Sequence, residues 1–313
     1  MKRAALILIL FFAAIGSAFG QSSGSSKVDP YILNPPVIAG TFNLVNNQTS
    51  LTSLSAIQAP DLTKRNLLLI GDGQSNMADS PQASTYVATN AAVIRQININ
   101  DGGIYAAIDP LLGTSINNYP SLGGGNPLLR IADAEITAGN FDAALVASIA
   151  IDGSAIADHD PALNGVLATR FPVLFARLAA KGWVQGANIT VVVLWGQGET
   201  DTTNGTTQTA YFNSLTNIIN ASRVAAGYNV MWLIAEQTYN TGTVSSAVQA
   251  AQLAIVNHSS NIWAGPNADV IIGTNCGGTC RPDNLHFGNL GMPVYVGNSQ
   301  GWQAALHATG PPF

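Results

Sequence analysis

Five short runs of Val, Ile, Leu and Ala constrain this chain more than any other feature, because their apolar character is continuous rather than alternating. They occupy residues 66–70, 144–151, 189–195, 230–235 and 270–273. A strand that is apolar on both faces must be covered on both, which is the signature of a parallel sheet. Segments of helical pattern separate the runs: Pro127–Thr137, then 168–180, 209–226 and 245–258, with a last one inside 288–308. Asn126 before Pro127 reads as a helix start, since Pro suits the first helical position. The β-α alternation predicts an α/β fold, a doubly wound three-layer α/β/α sandwich around a central, mainly parallel five-stranded sheet with right-handed crossovers.

Ligands of open α/β sheets bind beyond the carboxyl ends of the strands. The first run ends in Gly71-Asp72-Gly73-Gln74-Ser75-Asn76-Met77, the second in Asp152-Gly153-Ser154, and the third in Trp195-Gly196-Gln197-Gly198-Glu199. The last run leads through Cys276 and Cys280 to Asp283-Asn284-Leu285-His286. All four ends are expected to meet on one edge of the sheet. A serine becomes a nucleophile through a base, and the base needs an orienting partner. Ser75, His286 and Asp283 supply the three side-chain types, which suggests an esterase. Ser75 read alone could instead cap the helix that follows it, and Asp283 could be a loop carboxylate. His159, between Asp158 and Asp160, either lines the substrate cleft or is structural. Glu199 and Asp201 could be an acid pair for glycoside cleavage or internal supports. Trp195, Tyr239, Trp263 and Phe287 either stack on sugar or pack the core.

Taken in order, these blocks resemble the SGNH (GDSL-like) hydrolase superfamily. The branch they resemble most is the carbohydrate esterases that include sialate O-acetylesterases and acetylxylan esterases. Gly73-Gln74-Ser75-Asn76-Met77 looks like its nucleophile block, Gln197-Gly198-Glu199-Thr200-Asp201 like its Q-G-E-x-D block, and Asp283-Asn284-Leu285-His286 like its closing block. Asp152-Gly153-Ser154 is a weaker match to the glycine block, having Ser154 where a second glycine is usual. The resemblance implies a flavodoxin-like fold and a nucleophilic Ser75 that forms an acyl-enzyme. It also implies an oxyanion hole from the N–H groups of Ser75 and Gly153 and the amide of Gln197. Gln74, Asn76 and Glu199 would be supporting residues, with no metal or organic cofactor. The substrate would be an O-acylated, most simply O-acetylated, carbohydrate. Lipid or small aryl esters, or carbohydrate binding without catalysis, are the alternatives.

Composition narrows the partners. Charged residues make up 9% of the chain and the net charge is −5, which argues against nucleic acid. Lys2 and Arg3 followed by an apolar stretch over 4–15, with small residues before Gln21, read as a cleavable signal over residues 1–20. That stretch is about a dozen residues, short of the ~20 needed to span a bilayer, so no membrane span is expected in the mature protein. A secreted or periplasmic protein follows, with a lead-in over 21–63 and a catalytic domain over 64–313. Two cysteines cannot complete a zinc site, and in an exported protein Cys276 and Cys280 suit a disulfide that stiffens the loop before Asp283.

Overall fold

The computed structural model describes residues 54–114 and 122–308. The signal segment and most of the lead-in lie outside the described residues. Seven strands form one sheet: β1 (Asn66–Gly73), β2 (Ile94–Ile97), β3 (Ile104–Ala106), β4 (Ala143–Ser148), β5 (Ile189–Gly196), β6 (Met231–Glu236) and β7 (Ile262–Asn267). Their order is β3-β2-β4-β1-β5-β6-β7, all parallel except the β2–β3 pair. Nine helices flank the sheet: α1 (Ser75–Ala78), α2 (Pro127–Thr137), α3 (Ile156–His159), α4 (Arg170–Ala179), α5 (Glu199–Asn204), α6 (Gln208–Ala226), α7 (Ser246–Ala254), α8 (Gly291–Val296) and α9 (Trp302–Ala308).

Continuous apolarity along the strands serves two cores. Side chains alternate across a strand, so Leu68 and Ile70 of β1 enter one core and Leu67 and Leu69 the other. The first core is closed by α4, α6 and α7 through Phe171, Leu215, Ile218 and Val248; the second by α2, α8 and α9 through Leu128, Ile131, Met292 and Trp302. Full burial of each such side chain contributes ~1.5–3 kcal/mol, which is why both faces must be covered. Helix α2 begins as read, its first turn capped by the Asn126 side chain, which accepts from Leu128 N at 2.7 Å.

The sheet corrects the expected five strands to seven. Strands β2 and β3 are too short, at 4 and 3 residues, to leave a pattern in sequence. The end of the lead-in pairs with them, Ile57 N donating to Ile104 O at 2.8 Å. The run at 270–273 is not a strand: Ala268–Val270 is a 3-10 turn, with Val270 46% and Ile272 36% exposed. The edge strand is Ile262–Asn267 instead, where Gly265 and Pro266 disguised it; Pro is tolerated on a sheet edge.

Candidate active site

Strand order decides where the motifs meet. β1 lies between β4 and β5, so the chain leaves the centre of the sheet in opposite directions on its two sides. Such a switch point opens a crevice at the carboxyl ends. Gly73 is aligned with Gly196, at φ +134°, and a Cβ there would stand 2.0 Å from Gly196 O. Only glycine permits that approach, which brings the nucleophile block against the Gln197 block. On the other side, Ile151 N donates to Gly73 O at 3.0 Å, bringing in Gly153.

Ser75 opens α1, and its Oγ lies 2.9 Å from His286 Nε2. His286 Nδ1 lies 2.7 Å from Asp283 Oδ2. Asp283 Oδ1 accepts from the backbone N–H groups of His286 at 2.7 Å and Leu285 at 3.0 Å. Burial pushes the Asp283 carboxyl up, but these bonds from His286 and Leu285 outweigh it and hold it below the ordinary value. The carboxylate can only accept, so Nδ1 carries a proton. In the neutral imidazole, Nε2 is then the acceptor facing the Ser75 hydroxyl.

The supporting residues are buried and bonded to one another. Asn76 Nδ2 donates to Glu199 Oε1 at 2.9 Å, and Asn76 Oδ1 accepts from Phe287 N at 3.0 Å. Gln237 Nε2 donates to the same Glu199 oxygen at 2.9 Å. Burial pushes the Glu199 carboxyl up to about 7. Asp201 accepts from Gln197 Nε2 at 2.6 Å, Ile156 N at 2.8 Å and Thr206 Oγ1 at 2.6 Å. Glu199 and Asp201 are therefore enclosed supports, not an acid pair facing substrate. Gln74 Oε1 accepts from Thr200 N at 3.1 Å and lies 3.3 Å from Gln197 Nε2. Gln197 is itself buried, its Nε2 also lying 3.1 Å from Ser154 O.

Gly153 is exposed at φ +67°, with open space where a Cβ would stand. Its carbonyl accepts from Thr200 Oγ1 at 3.2 Å. The N–H groups of Ser75 and Gly153 donate to no acceptor among the described residues. Cys276 and Cys280 are joined in a disulfide, and Cys280 O accepts from Gly288 N at 2.8 Å, just past His286.

Two readings of the sequence are corrected here. His159 does not line the cleft: it is 4% exposed, packed edge-on to Trp195 with ring centroids 5.3 Å apart. Trp195 and Phe287 are fully buried, and Tyr239 is 8% exposed, so these three pack the interior rather than present a sugar platform. Trp263 stacks on His258 with centroids 4.0 Å apart.

Sequence reasoning missed Arg281. Its guanidinium is buried, donating to Ile271 O at 3.0 Å, Ala268 O at 2.8 Å and Leu285 O, and lies 3.9 Å from the Phe287 ring centroid. It fixes the loop that carries Asp283 and His286 from beneath. A cation two residues before Asp283, in a chain with so few charges, was the available signal. Also missed was Asp152, whose carboxyl is pushed up first by burial and then by the charge of Asp79, so that the two share a proton. A hollow of about 980 Å³ lies at the opposite, amino-terminal end of the strands, lined by Asp61, Lys64, Arg95, Lys181 and Trp183. It contains none of the motif residues. Among the described residues no cluster of three or more His, Cys, Asp or Glu could hold a metal, and no helix is long and apolar enough to cross a membrane.

Comparison with known families matches residues 65–294 to the carbohydrate esterase, sialic acid-specific acetylesterase family. The chain belongs to that family. It is thus a carbohydrate esterase, a carboxylic ester hydrolase on an SGNH-like α/β sandwich. A protein from Arabidopsis thaliana of known crystal structure shares the fold, with a TM-score of 0.57 and 18% identity over 78% of this chain and 98% of its own. A carbohydrate acetylesterase from Xanthomonas citri is 15% identical, with a TM-score of 0.44, over 74% of this chain and 54% of its own. No curated protein matches significantly.

Proposed function

We propose that this carbohydrate esterase is an exported serine acetylesterase that works through an acyl-Ser75 intermediate. The observation that carries the reading is the Ser75–His286–Asp283 relay, at 2.9 and 2.7 Å. Ser75 Oγ attacks the ester carbonyl carbon as His286 Nε2 takes its proton. The negative charge that develops on the carbonyl oxygen is stabilised by the outward N–H groups of Ser75 and Gly153. Gln197 joins them by exchanging its longest contact, the 3.3 Å approach to Gln74 Oε1. Collapse breaks the bond to the sugar oxygen, which leaves with the proton from His286. Water then attacks the acyl-enzyme, His286 takes its proton, and the carboxylic acid and free Ser75 are restored. Acetyl is the acyl group and a sugar hydroxyl the leaving group. Export rests on the sequence of residues 1–20.

Purified mature protein incubated with p-nitrophenyl acetate and with an O-acetylated polysaccharide, beside Ser75→Ala, tests the chemistry. Acetate release by wild type alone supports the reading, and release by both proteins overturns it. Amino-terminal sequencing of protein recovered outside the cytoplasm should begin at Gln21.

A further inference from the structure

Beneath the reacting groups lies a second set of Ser, His and Asp that the mechanism does not use. Ser154 Oγ is 2.8 Å from His159 Nε2, and His159 Nδ1 is 3.2 Å from Asp72 Oδ1. All three residues are buried: Ser154 is 0%, Asp72 2% and His159 4% exposed. Ser154 therefore cannot receive a substrate, and the set is not a second catalytic centre.

Each member is anchored to one side of the oxyanion site. Asp72 Oδ1 accepts from Gly73 N at 2.8 Å, on the strand that delivers Ser75. Ser154 Oγ lies 2.8 Å from Ile151 O and 3.3 Å from Gly73 O, and Ser154 follows Gly153 directly. His159 ends α3, whose first N–H, on Ile156, is held by Asp201 at 2.8 Å. Its ring is flanked by Trp195 at the end of β5. The charge of Asp72 is faced by buried Arg170 as well as by His159. Three strand ends, β1, β4 and β5, are thus tied through one imidazole. A carboxylate can only accept, so the Asp72 contact fixes a proton on Nδ1 and orients the ring. With the ring fixed, Nε2 has one place to meet Ser154 Oγ.

We propose that Asp72, His159 and Ser154 are positioning residues that set the Gly153 N–H against the Ser75 N–H, so that both donors address one oxyanion. This rests on the acyl-Ser75 reading. An oxyanion donor acts only where charge develops, so a misplaced Gly153 weakens transition-state binding and leaves ground-state binding alone. Loss of the network should lower kcat and spare KM.

The test uses Ser154→Ala and His159→Gln in the full mature protein, with folding checked by circular dichroism. The expected result on an O-acetylated polysaccharide is a kcat reduced by roughly 10- to 100-fold with KM within about twofold. Affinity for a boronic acid that forms a tetrahedral adduct on Ser75 should fall by a similar factor, and inhibition by acetate should be unchanged. Ser154→Ala deletes one oxygen and no backbone bond, so it decides the matter if His159→Gln does not fold. A folded Ser154→Ala with kcat within twofold of wild type overturns the proposal. A fall carried by KM also overturns it, as does a sulfonyl adduct on Ser154 after treatment with phenylmethylsulfonyl fluoride. Ser75→Ala, run beside them, separates the two readings: if it keeps wild-type turnover, the acyl-Ser75 mechanism fails rather than the positioning role.

Discussion

His286 Nε2 meets Ser75 Oγ at 2.9 Å across 211 residues of sequence, and Asn76, the next residue, accepts from Phe287 N across the same separation. The nucleophile and base segments are therefore joined twice, once by the relay and once by a structural bond beside it. The second bond holds the first in register.

Asp283→Asn should preserve the shape of the relay and break its protonation. An amide at that position can donate to Nδ1, which moves the ring proton to Nε2 and leaves Ser75 without an acceptor. The expected fall in kcat is about a thousandfold or more, with an unchanged circular dichroism spectrum. Steady-state turnover of p-nitrophenyl acetate measures it; a loss below tenfold would show that Asp283 does not orient His286.

Asn76→Ala removes buried bonds to Glu199 and Phe287 and leaves their partners unsatisfied. The expected destabilisation is about 2–4 kcal/mol by urea unfolding, with kcat falling as the His286 loop slackens. A change under about 0.5 kcal/mol would mean that other bonds hold the two segments in register.

Glu199→Gln should alter the pH dependence of stability. Burial pushes the Glu199 carboxyl from 4.5 up to about 7 in the fold, against opposing bonds from Asn76 and Gln237 and the charge of Arg281. Between those values the native state holds a proton that the unfolded chain has lost, so wild-type stability falls as pH rises through this window. The neutral variant lacks this loss. Its stability relative to wild type should therefore improve by about 1–3 kcal/mol between pH 4.5 and pH 8. A pH-independent difference in urea midpoints would argue that Glu199 has the same proton affinity folded and unfolded.

Replacing Cys276 and Cys280 by Ser should affect activity more than stability. So short a loop removes little unfolded-state entropy, and the expected loss is about 2 kcal/mol or less. The disulfide closes the turn just before Arg281 and Asp283, so kcat should fall by roughly threefold or more. Equal kcat in the oxidised and serine forms would show that Arg281 alone fixes the loop.

What was legible in the sequence was local. Continuous apolar runs at 66–70, 189–195 and 230–235 marked buried strands because burial on both faces leaves no polar alternation to read. Pro127 after Asn126 marked a helix start because the cap and the fixed φ act within one turn. The Ser75, Gly153, Gln197, Asp283 and His286 blocks could be singled out because each sits in a short, chemically unusual turn. By itself the sequence determined the layered α/β class and the residue types available for chemistry. Tertiary structure decided the rest. The β2 and β3 strands exist only because β4 offers an edge to pair with, and Ile262–Asn267 is a strand because an edge accepts Pro266. The enclosure of Glu199 and Asp201, the burial of Arg281 and the Asp72–His159–Ser154 network depend on which strand ends become neighbours. Hydrogen bonds reach about 3 Å and carry no memory of chain separation, so partners 87 residues apart such as His159 and Asp72 are found only when the sheet order is known.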